Sequence, residues 1–522
     1  MLKKLHGRKL AVCLIGGAMY ALFSAFGWQA EHGGVIWAGG ALLVAALLVW
    51  PIAALLAVLL ERGYTRALRR EKTFRAGRAF AFILACYVPM FCVAFPGSFA
   101  YDVPYQLRQV VTGAYSTHHP LLHTLALGGL LQLGRALGDI NLGAALYTAL
   151  QMALLAGCFA LTCGSIARQS GARAAKRAAV FFALYPLNMV MAVNATKDVL
   201  FGGFFALTLA LLNEIQEKPS RGLALKIAVC GALAVMLRNN MAYAALVWLA
   251  ILTLGLRKAE KSAALAMLLA LTVGLCGNAA LKHATRAESG DMSEMLSWPI
   301  QQLARARLYD EERLTDAEKE AIDELMPGEA WACYDPTISD PVKFEFDTQA
   351  FRADVKKYVG VWLSVGKKCA GTYLDATVAL TYPFFYPYRE YRVSGYYVQM
   401  GMSDAYDAGW CDFDPPESRS LFPRALASLS WRFGAKGAMQ IPVVGWLFNM
   451  GVIVWTMLFF ALREMYWGRW RRFGTALLPV LLWGTFLLGP VMAGRYIYPF
   501  VCALPVLAAR PGRSVKEAAR HG

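Results

Sequence analysis

Long apolar runs dominate this sequence, and they limit what the chain can fold into. The runs are roughly 16–28 residues long, and about 20 apolar residues in a helix can cross the hydrocarbon core of a bilayer. Backbone polar groups inside a bilayer must be bonded within the chain, so these runs are expected to be helical. The sequence therefore predicts an all-α polytopic membrane protein. With 57% hydrophobic and 17% charged residues, it excludes the disordered, fibrous and disulfide-rich secreted classes.

The charge distribution predicts how the spans are oriented. The net charge is +17, but the basic residues lie in short clusters between apolar runs and form no nucleic-acid-binding motif, so no nucleic-acid partner is expected. If the N-terminus is cytoplasmic, the inner segments together carry +22 and the outer segments −5. This difference follows the positive-inside rule. We therefore expect a multi-pass membrane protein with its N-terminus in the cytoplasm.

About twelve spans fit this scheme. They are expected at 10–29, 34–60, 79–95, 140–167, 178–193, 198–213, 223–237, 241–256, 263–281, 441–462, 474–490 and 494–509. The division that follows is a two-helix extension (1–78), a membrane core (79–281) with an outer loop at 96–139, an extracytoplasmic domain (282–440), and a three-helix segment with a cytoplasmic tail (441–522).

The apolar stretch 121–137 is a special case. Counted as a span, it would invert every later loop against the charge rule. It follows His118 and His119 and contains His123 and Gln132. We therefore predict a juxtamembrane or re-entrant helix in the first large outer loop. An ordinary thirteenth span is the alternative.

The segment 282–440 is expected to form a mainly helical domain. Thr315 and Glu318 have the spacing of a capping box and should open a short helix that ends near 327–328. Residues 348–380 are predicted to form one longer helix. The aromatic run at 382–388 is typical of a membrane interface.

A single carboxylate marks the first outer loop. Asp102 follows the third predicted span and is the only acidic residue between Glu71 and Asp139. A carboxylate just outside the membrane could deprotonate an acceptor, as a general base does. The alternative is structural, because an aspartate before Val-Pro-Tyr also suits the N-cap of a following helix.

Three predicted outer turns each carry a cation, although such turns are usually poor in Lys and Arg. Lys197 is followed by Asp198, Arg238 stands before two asparagines, and Arg495 is followed by Tyr496. Isolated cations at this depth suit an anionic ligand such as a lipid phosphate. Snorkelling of these side chains to lipid headgroups is the alternative.

Histidine and cysteine add weaker signals. His119 and His123 are four residues apart, a spacing that could ligate a metal on one helix face, but no Glu or Cys accompanies them in a zinc-hydrolase pattern. No cofactor is certain, and a divalent metal is a candidate. Cys333 and Cys411 lie in the long outer segment, where disulfides persist, and are a candidate pair, with Cys369 as a competing partner.

This arrangement resembles the GT-C glycosyltransferases, which take sugar from a polyprenyl-phosphate donor outside the cytoplasm. Protein O-mannosyltransferases and lipid A aminoarabinose transferases are the best-known members. Those families place a catalytic aspartate in the first large outer loop, which Tyr101-Asp102 resembles. Lys197-Asp198 looks like their Lys-Asp turn, and residues 295–305 look like a motif of a less-characterised bacterial subfamily.

Arg495-Tyr496 is similar to a late Arg-Tyr element of the same families. Two features depart from the pattern: two spans precede the core, and one acidic residue stands where an acidic pair is usual.

The resemblance implies an inverting transfer of sugar from a polyprenyl-phosphate carrier to an envelope acceptor, which is a glycan, lipid or protein. It also implies a bacterial cytoplasmic (inner) membrane protein with its active site on the extracytoplasmic face. Asp102 would be the base. The residues implied in binding the donor phosphate are Lys197, Asp198, Arg238, Arg495 and Tyr496. Those implied in positioning sugar or acceptor are Tyr101, Arg108, His118, His119, Gln301, Gln302 and Arg305.

Two other function classes fit the sequence. A transporter or flippase of a lipid-linked sugar would use the same cations, but it usually shows inverted repeats, and none is evident here. A non-catalytic component of an envelope-polymer assembly would need none of these polar residues.

Overall fold

The fold is helical throughout the residues that the computed structural model describes, namely 5, 7–32, 40–61, 74–99, 102–255, 261–387, 400–402, 415–434 and 441–510. Within these ranges, β-structure is limited to isolated bridges. The helices are α1 (Arg8–Glu31), α2 (Gly40–Glu61), α3 (Ala76–Ala94), α4 (Val103–Thr112), α5 (Leu121–Ala136), α6 (Ile140–Ser170), α7 (Ala172–Leu184), α8 (Pro186–Ala192), α9 (Lys197–Glu217), α10 (Arg221–Leu237), α11 (Asn239–Gly255), α12 (Lys261–Thr285), α13 (Ser297–Tyr309), α14 (Asp316–Leu325), α15 (Asp340–Lys343), α16 (Thr348–Ala353), α17 (Val355–Lys368), α18 (Ala370–Thr381), α19 (Pro423–Gly434), α20 (Met450–Tyr466), α21 (Trp470–Leu487) and α22 (Tyr498–Ala508).

Six helices in the described part of the chain are long and apolar enough to cross a membrane: α1, α2, α3, α6, α9 and α12. The prediction of an all-helical, multi-pass membrane protein is thereby confirmed, whereas the number of twelve spans stays a prediction. In α9, 89% of the apolar window is buried within the protein, against 17–56% in the other five. Helix α9 is therefore the centre of the bundle, and the others present apolar side chains outward.

Two predicted spans differ in their details. The span expected at 178–193 is divided between α7 and α8, because Tyr185 takes an extended conformation before Pro186, which has no N–H to continue a helix. The span expected at 441–462 starts with the 3₁₀ turn Val444–Leu447 and becomes α-helical only at Met450.

Helices α5 and α6 form a tight hairpin. A Cβ atom on Gly134 would lie 2.3 Å from the backbone nitrogen of Gly143, and one on Gly143 would lie 2.3 Å from the carbonyl oxygen of Leu130. The two backbones therefore touch. With 16 residues, α5 is about 24 Å long, shorter than a hydrocarbon core of about 30 Å. The hairpin fixes α5 against the part of α6 nearest the candidate site.

A second hydrophobic core, separate from that of the bundle, lies between Ile300 and Tyr373 and is built from α13 to α18. We call residues 286–384 the polar helical domain. Thr315 and Glu318 form the predicted capping box, and α14 runs from Asp316 to Leu325. The prediction of a single helix at 348–380 is wrong.

The predicted helix is divided into α16, α17 and α18. Asp354 leaves the helical conformation and accepts a hydrogen bond from the backbone N–H of Lys357, so that it caps a new helix. Cys369 also leaves the helical conformation, with φ −117° and ψ 39°, and separates the last two helices without a capping bond from its side chain.

The hairpin contact gives a test of the fold. Gly143→Ala should place a methyl group against the backbone of α5 and destabilise the protein by about 1–3 kcal/mol, the usual effect of overpacking. Gly157→Ala on the same helix is the control, because nothing lies within 4 Å of its Cβ position. That variant should be neutral or slightly stabilised, since alanine favours helices. Thermal melting in detergent measures both, and equal melting temperatures would contradict the close approach.

Candidate functional site

The site lies at one end of the helix bundle, where α10 ends and α9 begins. A short backbone pairing joins its two central loops. The N–H of Ser98 donates to the carbonyl of Val193 at 2.8 Å, and the N–H of Ala195 donates to the carbonyl of Ser98 at 2.8 Å. This pairing brings the loop that leads to Asp102 beside the turn that leads to Lys197.

Asp102 is bound by two cations from distant parts of the chain. Its Oδ2 accepts hydrogen bonds from Lys197 Nζ at 2.9 Å and from Arg495 Nη1 at 3.1 Å, and its Oδ1 lies 3.3 Å from Arg495 Nη2. Asp102 occupies the N-cap position of α4, but its side chain makes no capping hydrogen bond. The capping interpretation is therefore wrong, because the carboxylate faces these cations instead.

The two cations also decide the protonation state of Asp102. Burial alone would raise the pKa of this carboxyl group, but the charges of Arg495 and Lys197 outweigh burial and hold the pKa well below its usual range. The carboxylate is consequently ionised at neutral pH. In this arrangement it is a weak base, because both of its oxygens are already paired.

A second ion pair, between Arg238 and Asp198, lies next to the first and is more deeply buried. Arg238 Nε donates to Asp198 Oδ1 at 2.5 Å, and the Asp198 side chain has no exposed surface. The guanidinium of Arg238 also lies over two rings, 4.8 Å from the centroid of Phe486 and 4.5 Å from that of Tyr496. The side chain of Arg238 is thus held inside the protein. The alternative, that it extends to lipid headgroups, is wrong for this residue.

Arg495 links the two pairs, because its Nε lies 4.0 Å from Asp198 Oδ2 while its other nitrogens face Asp102. The described cluster therefore combines three cations with two carboxylates. The cation side chains are only 8–14% exposed. Cations buried to this degree are costly unless anionic groups neutralise them. Three mostly buried cations close together are therefore the strongest chemical signal in the site.

His119 adds a polar group that faces the same carboxylate. Its Nδ1 lies 3.8 Å from Asp102 Oδ2, is buried, and has no hydrogen-bond partner among the described residues. Burial, together with the nearby charge of Lys197, lowers the pKa of His119 to about 3, so the imidazole is neutral. His118 is exposed, and its ring packs edge-on against that of His119 at 4.6 Å.

A buried hydrogen-bond network behind His119 was not predicted. Gln151 Nε2 donates to backbone carbonyls of the 192–194 turn, so its Oε1 faces the hydroxyl of Tyr147. That hydroxyl also lies 2.9 Å from His123 Nε2, and His123 Nδ1 lies 3.0 Å from Gln106 Nε2. The network joins α4, α5 and α6. Polar side chains inside the long apolar run of α6 were the signal that could have found it.

Three residues expected to position sugar or acceptor lie in the polar helical domain instead. Gln301 donates to backbone carbonyls of the 335–338 turn, and Gln302 donates to Thr377 Oγ1. Arg305 donates to the hydroxyl of Tyr334. These bonds are internal to the domain, so the structure does not bring these side chains to Asp102.

The remaining expectations have mixed outcomes. Arg108 is exposed on α4. Tyr101 and Cys411 lie outside the described residues, so neither the role of Tyr101 nor the pairing of Cys411 with the exposed Cys333 can be read. In the ranges that the structure describes, no group of three or more His, Cys, Asp or Glu side chains could hold a metal ion.

The two carboxylates should differ in their effect on stability. Asp198→Asn leaves Arg238 buried without its counter-ion and should cost about 3–5 kcal/mol of folding free energy. Asp102→Asn should cost less, because the Asp102 side chain is 22% exposed whereas that of Asp198 is fully buried. Thermal unfolding of the two variants measures the difference. A larger loss for Asp102→Asn would contradict the division into a structural and a functional pair.

Comparison with known proteins places the chain in a family without assigning its activity. No curated protein and no solved structure matches it. A family model does match, over residues 111–521, a range that contains Lys197, Arg238 and Arg495 and begins after Asp102. Because this match covers well over half of the chain, the protein belongs to the family described as "Family of unknown function (DUF6020)".

Proposed function

We propose that this protein is a membrane glycosyltransferase of GT-C type. It would move a sugar, with inversion, from a polyprenyl-phosphate carrier to an acceptor on the extracytoplasmic face of the bacterial inner membrane. The observation that carries the proposal is the pair of mostly buried cations, Lys197 and Arg495, on an ionised carboxylate at one end of a bundle of apolar helices. A phosphodiester-linked sugar supplies a negative charge that such cations can bind.

Lys197 and Arg495 are the groups that suit the phosphate. Both already bind a carboxylate through charge-assisted hydrogen bonds, and phosphate oxygens are equivalent partners. Lys197 is also the first residue of α9, whose N-terminus favours anions, and the side chain of Thr196 makes no capping bond there. Arg238 and Asp198 support Arg495 from behind and keep its guanidinium near the ligand.

Donor binding would then activate Asp102. If the phosphate draws Lys197 and Arg495 away from the carboxylate, the influence that lowers the pKa of Asp102 weakens and its basicity rises. Asp102 would accept the proton of the acceptor hydroxyl as the acceptor oxygen bonds to the anomeric carbon. The bond from that carbon to the phosphate oxygen breaks, and the two cations stabilise the departing polyprenyl phosphate.

The lipid tail fits the outer surface of the bundle. Helix α12 exposes Leu265, Leu268, Leu269 and Val273, with 45–68% of each residue accessible. Apolar side chains of this kind suit an isoprenoid chain, and membrane lipids would cover the rest. A carrier lipid would bring its sugar to the same end of the helices at which the charged cluster lies.

Asp102→Asn is the decisive variant for catalysis. Asparagine keeps the size of the side chain but cannot accept the proton, so the rate should fall about 10²–10⁴-fold, the usual contribution of a general base. The measurement is transfer of labelled sugar from a polyprenyl-phosphate sugar in membranes that contain equal amounts of each variant.

Arg495→Ala should also be inactive, and Arg495→Lys should recover part of the rate, because a point charge replaces a two-pronged donor. Near wild-type transfer by Asp102→Asn would remove the assignment of Asp102 as the base. Absence of transfer by the wild-type protein would favour a transporter of lipid-linked sugar.

The pH profile tests the electrostatics. In the wild-type free enzyme, Asp102 is protonated only well below its usual range, so kcat/KM should lose little through this group under mildly acidic conditions. Lys197→Ala removes a cation that favours the ionised form, so the pKa of Asp102 rises and the acid limb moves to higher pH. Lys176→Ala, exposed on α7, is the control and should leave the limb in place. An unchanged limb in Lys197→Ala would contradict the coupling.

A further inference from the structure

The loop that leads to Arg495 is held by the polar helical domain. The backbone N–H of Ser339 donates to the carbonyl of Pro490 at 2.8 Å, and Ile338 forms an antiparallel bridge with Val491. Only three residues separate Val491 from Arg495. The position of the 338–339 segment therefore limits where the guanidinium of Arg495 can lie.

Gln301 holds the 335–338 turn that makes these contacts. Its Nε2 donates to the carbonyl of Asp335 at 2.9 Å and to that of Ile338 at 2.7 Å, and the residue is 1% exposed. One amide group thus closes the turn from inside, and the same turn pairs with the 490–491 backbone. The contacts run from Gln301 through the turn and the loop to Arg495.

The same domain also holds the other side of the site. The N–H of Thr117 donates to the carbonyl of Glu288 at 2.8 Å, and the N–H of Glu288 donates to the carbonyl of Tyr115 at 2.9 Å. This pairing lies just before His118 and His119. The domain is consequently joined to both segments that face Asp102.

We propose that Gln301 is a positioning residue. By holding the 335–338 turn, it fixes the loop that places the guanidinium of Arg495 where an anionic ligand can bind. The proposal rests on the proposed function for the identity of that ligand, a lipid phosphate. The position of the loop itself does not depend on that identity. Gln301 therefore acts at a distance from the reacting atoms and touches neither donor nor acceptor.

Gln302 provides a matched control. It is the next residue of α13, is also buried, and makes two side-chain hydrogen bonds, to Thr377 Oγ1 and from Trp362 Nε1. Neither bond involves the 335–338 turn. Gln302→Ala should therefore weaken the domain to a similar degree without releasing the loop before Arg495.

Ser339 gives a second pair, which avoids deleting a core side chain. Ser339→Pro removes the N–H that bonds Pro490, and the φ of −88° at this position is close to the range of proline. Ser339→Ala keeps that N–H and removes only a hydroxyl that has no hydrogen-bond partner among the described residues. The two variants differ mainly in the bond under test.

The first measurement is hydrogen exchange of the full-length protein in nanodiscs. We expect peptides that cover 488–497 to exchange faster in Gln301→Ala and Ser339→Pro, and at the wild-type rate in Gln302→Ala and Ser339→Ala. Equal exchange within each pair would overturn the inference. This measurement needs no ligand, so its result does not depend on the proposed function.

The second measurement is binding of a polyprenyl monophosphate to the same proteins. Gln301→Ala should bind about tenfold more weakly than Gln302→Ala, as expected when a charge-assisted hydrogen bond is lost or misaligned. A disulfide formed by Ile338→Cys and Val491→Cys, two positions that an antiparallel bridge brings close enough, should restore binding in Gln301→Ala. Confirmed disulfide formation without restored binding would overturn the positioning role. If exchange rises as expected but the wild type does not bind the phosphate, the proposed function fails and the role of Gln301 in holding the loop stands.

Discussion

The organisation of this protein depends on a buried cluster in which three cations share two carboxylates. Asp198 neutralises Arg238 in the wall of the site, and Asp102 is contacted by both Lys197 and Arg495. Cations buried to this degree need anionic partners, and the described part of the chain supplies Asp102 and Asp198. Under the proposed function, the cations that keep Asp102 ionised are the ones that would bind the donor phosphate. Donor binding and activation of the base would then follow from one exchange of partners.

The fold supplies the rigidity that such a cluster needs. The backbone pairing of Ser98 with the 193–195 turn joins the two carboxylate-bearing regions. The hydrogen bond between His123 and Tyr147 ties the first turn of α5, which begins just after His119, to α6. Lys197 and Asp198 are the first two residues of α9, which is the most deeply buried of the six candidate membrane spans. The polar helical domain is joined to both sides of the cluster, so its role extends beyond covering the membrane helices.

The sequence predicted the helical, multi-pass class because apolar runs of bilayer length admit few other structures. It also predicted the main members of the cluster, since Asp102, Lys197, Arg238 and Arg495 all stand at ends of apolar runs that the charge rule assigns to one face. It could not predict how these groups pair, because the partners of Asp102 are 95 and 393 positions away.

Other features depended on tertiary contacts that spacing does not reveal. Gln301, Gln302 and Arg305 looked like site residues in a motif, yet their amide and guanidinium groups satisfy turns and side chains inside the polar helical domain. The His123–Tyr147–Gln151 network was visible only as isolated polar residues in apolar helices. The break at Asp354 was missed because its capping bond competes with an otherwise helical pattern.

The most direct test of the account compares how tightly the purified protein binds a polyprenyl monophosphate and the uncharged polyprenol of equal length. Two charge-assisted contacts predict that the wild-type protein prefers the phosphate by about 100-fold or more. The preference should nearly disappear in the Lys197→Ala/Arg495→Ala double variant, while affinity for the alcohol stays unchanged. Equal affinity of the wild-type protein for phosphate and alcohol would contradict the proposal that Lys197 and Arg495 bind the carrier phosphate.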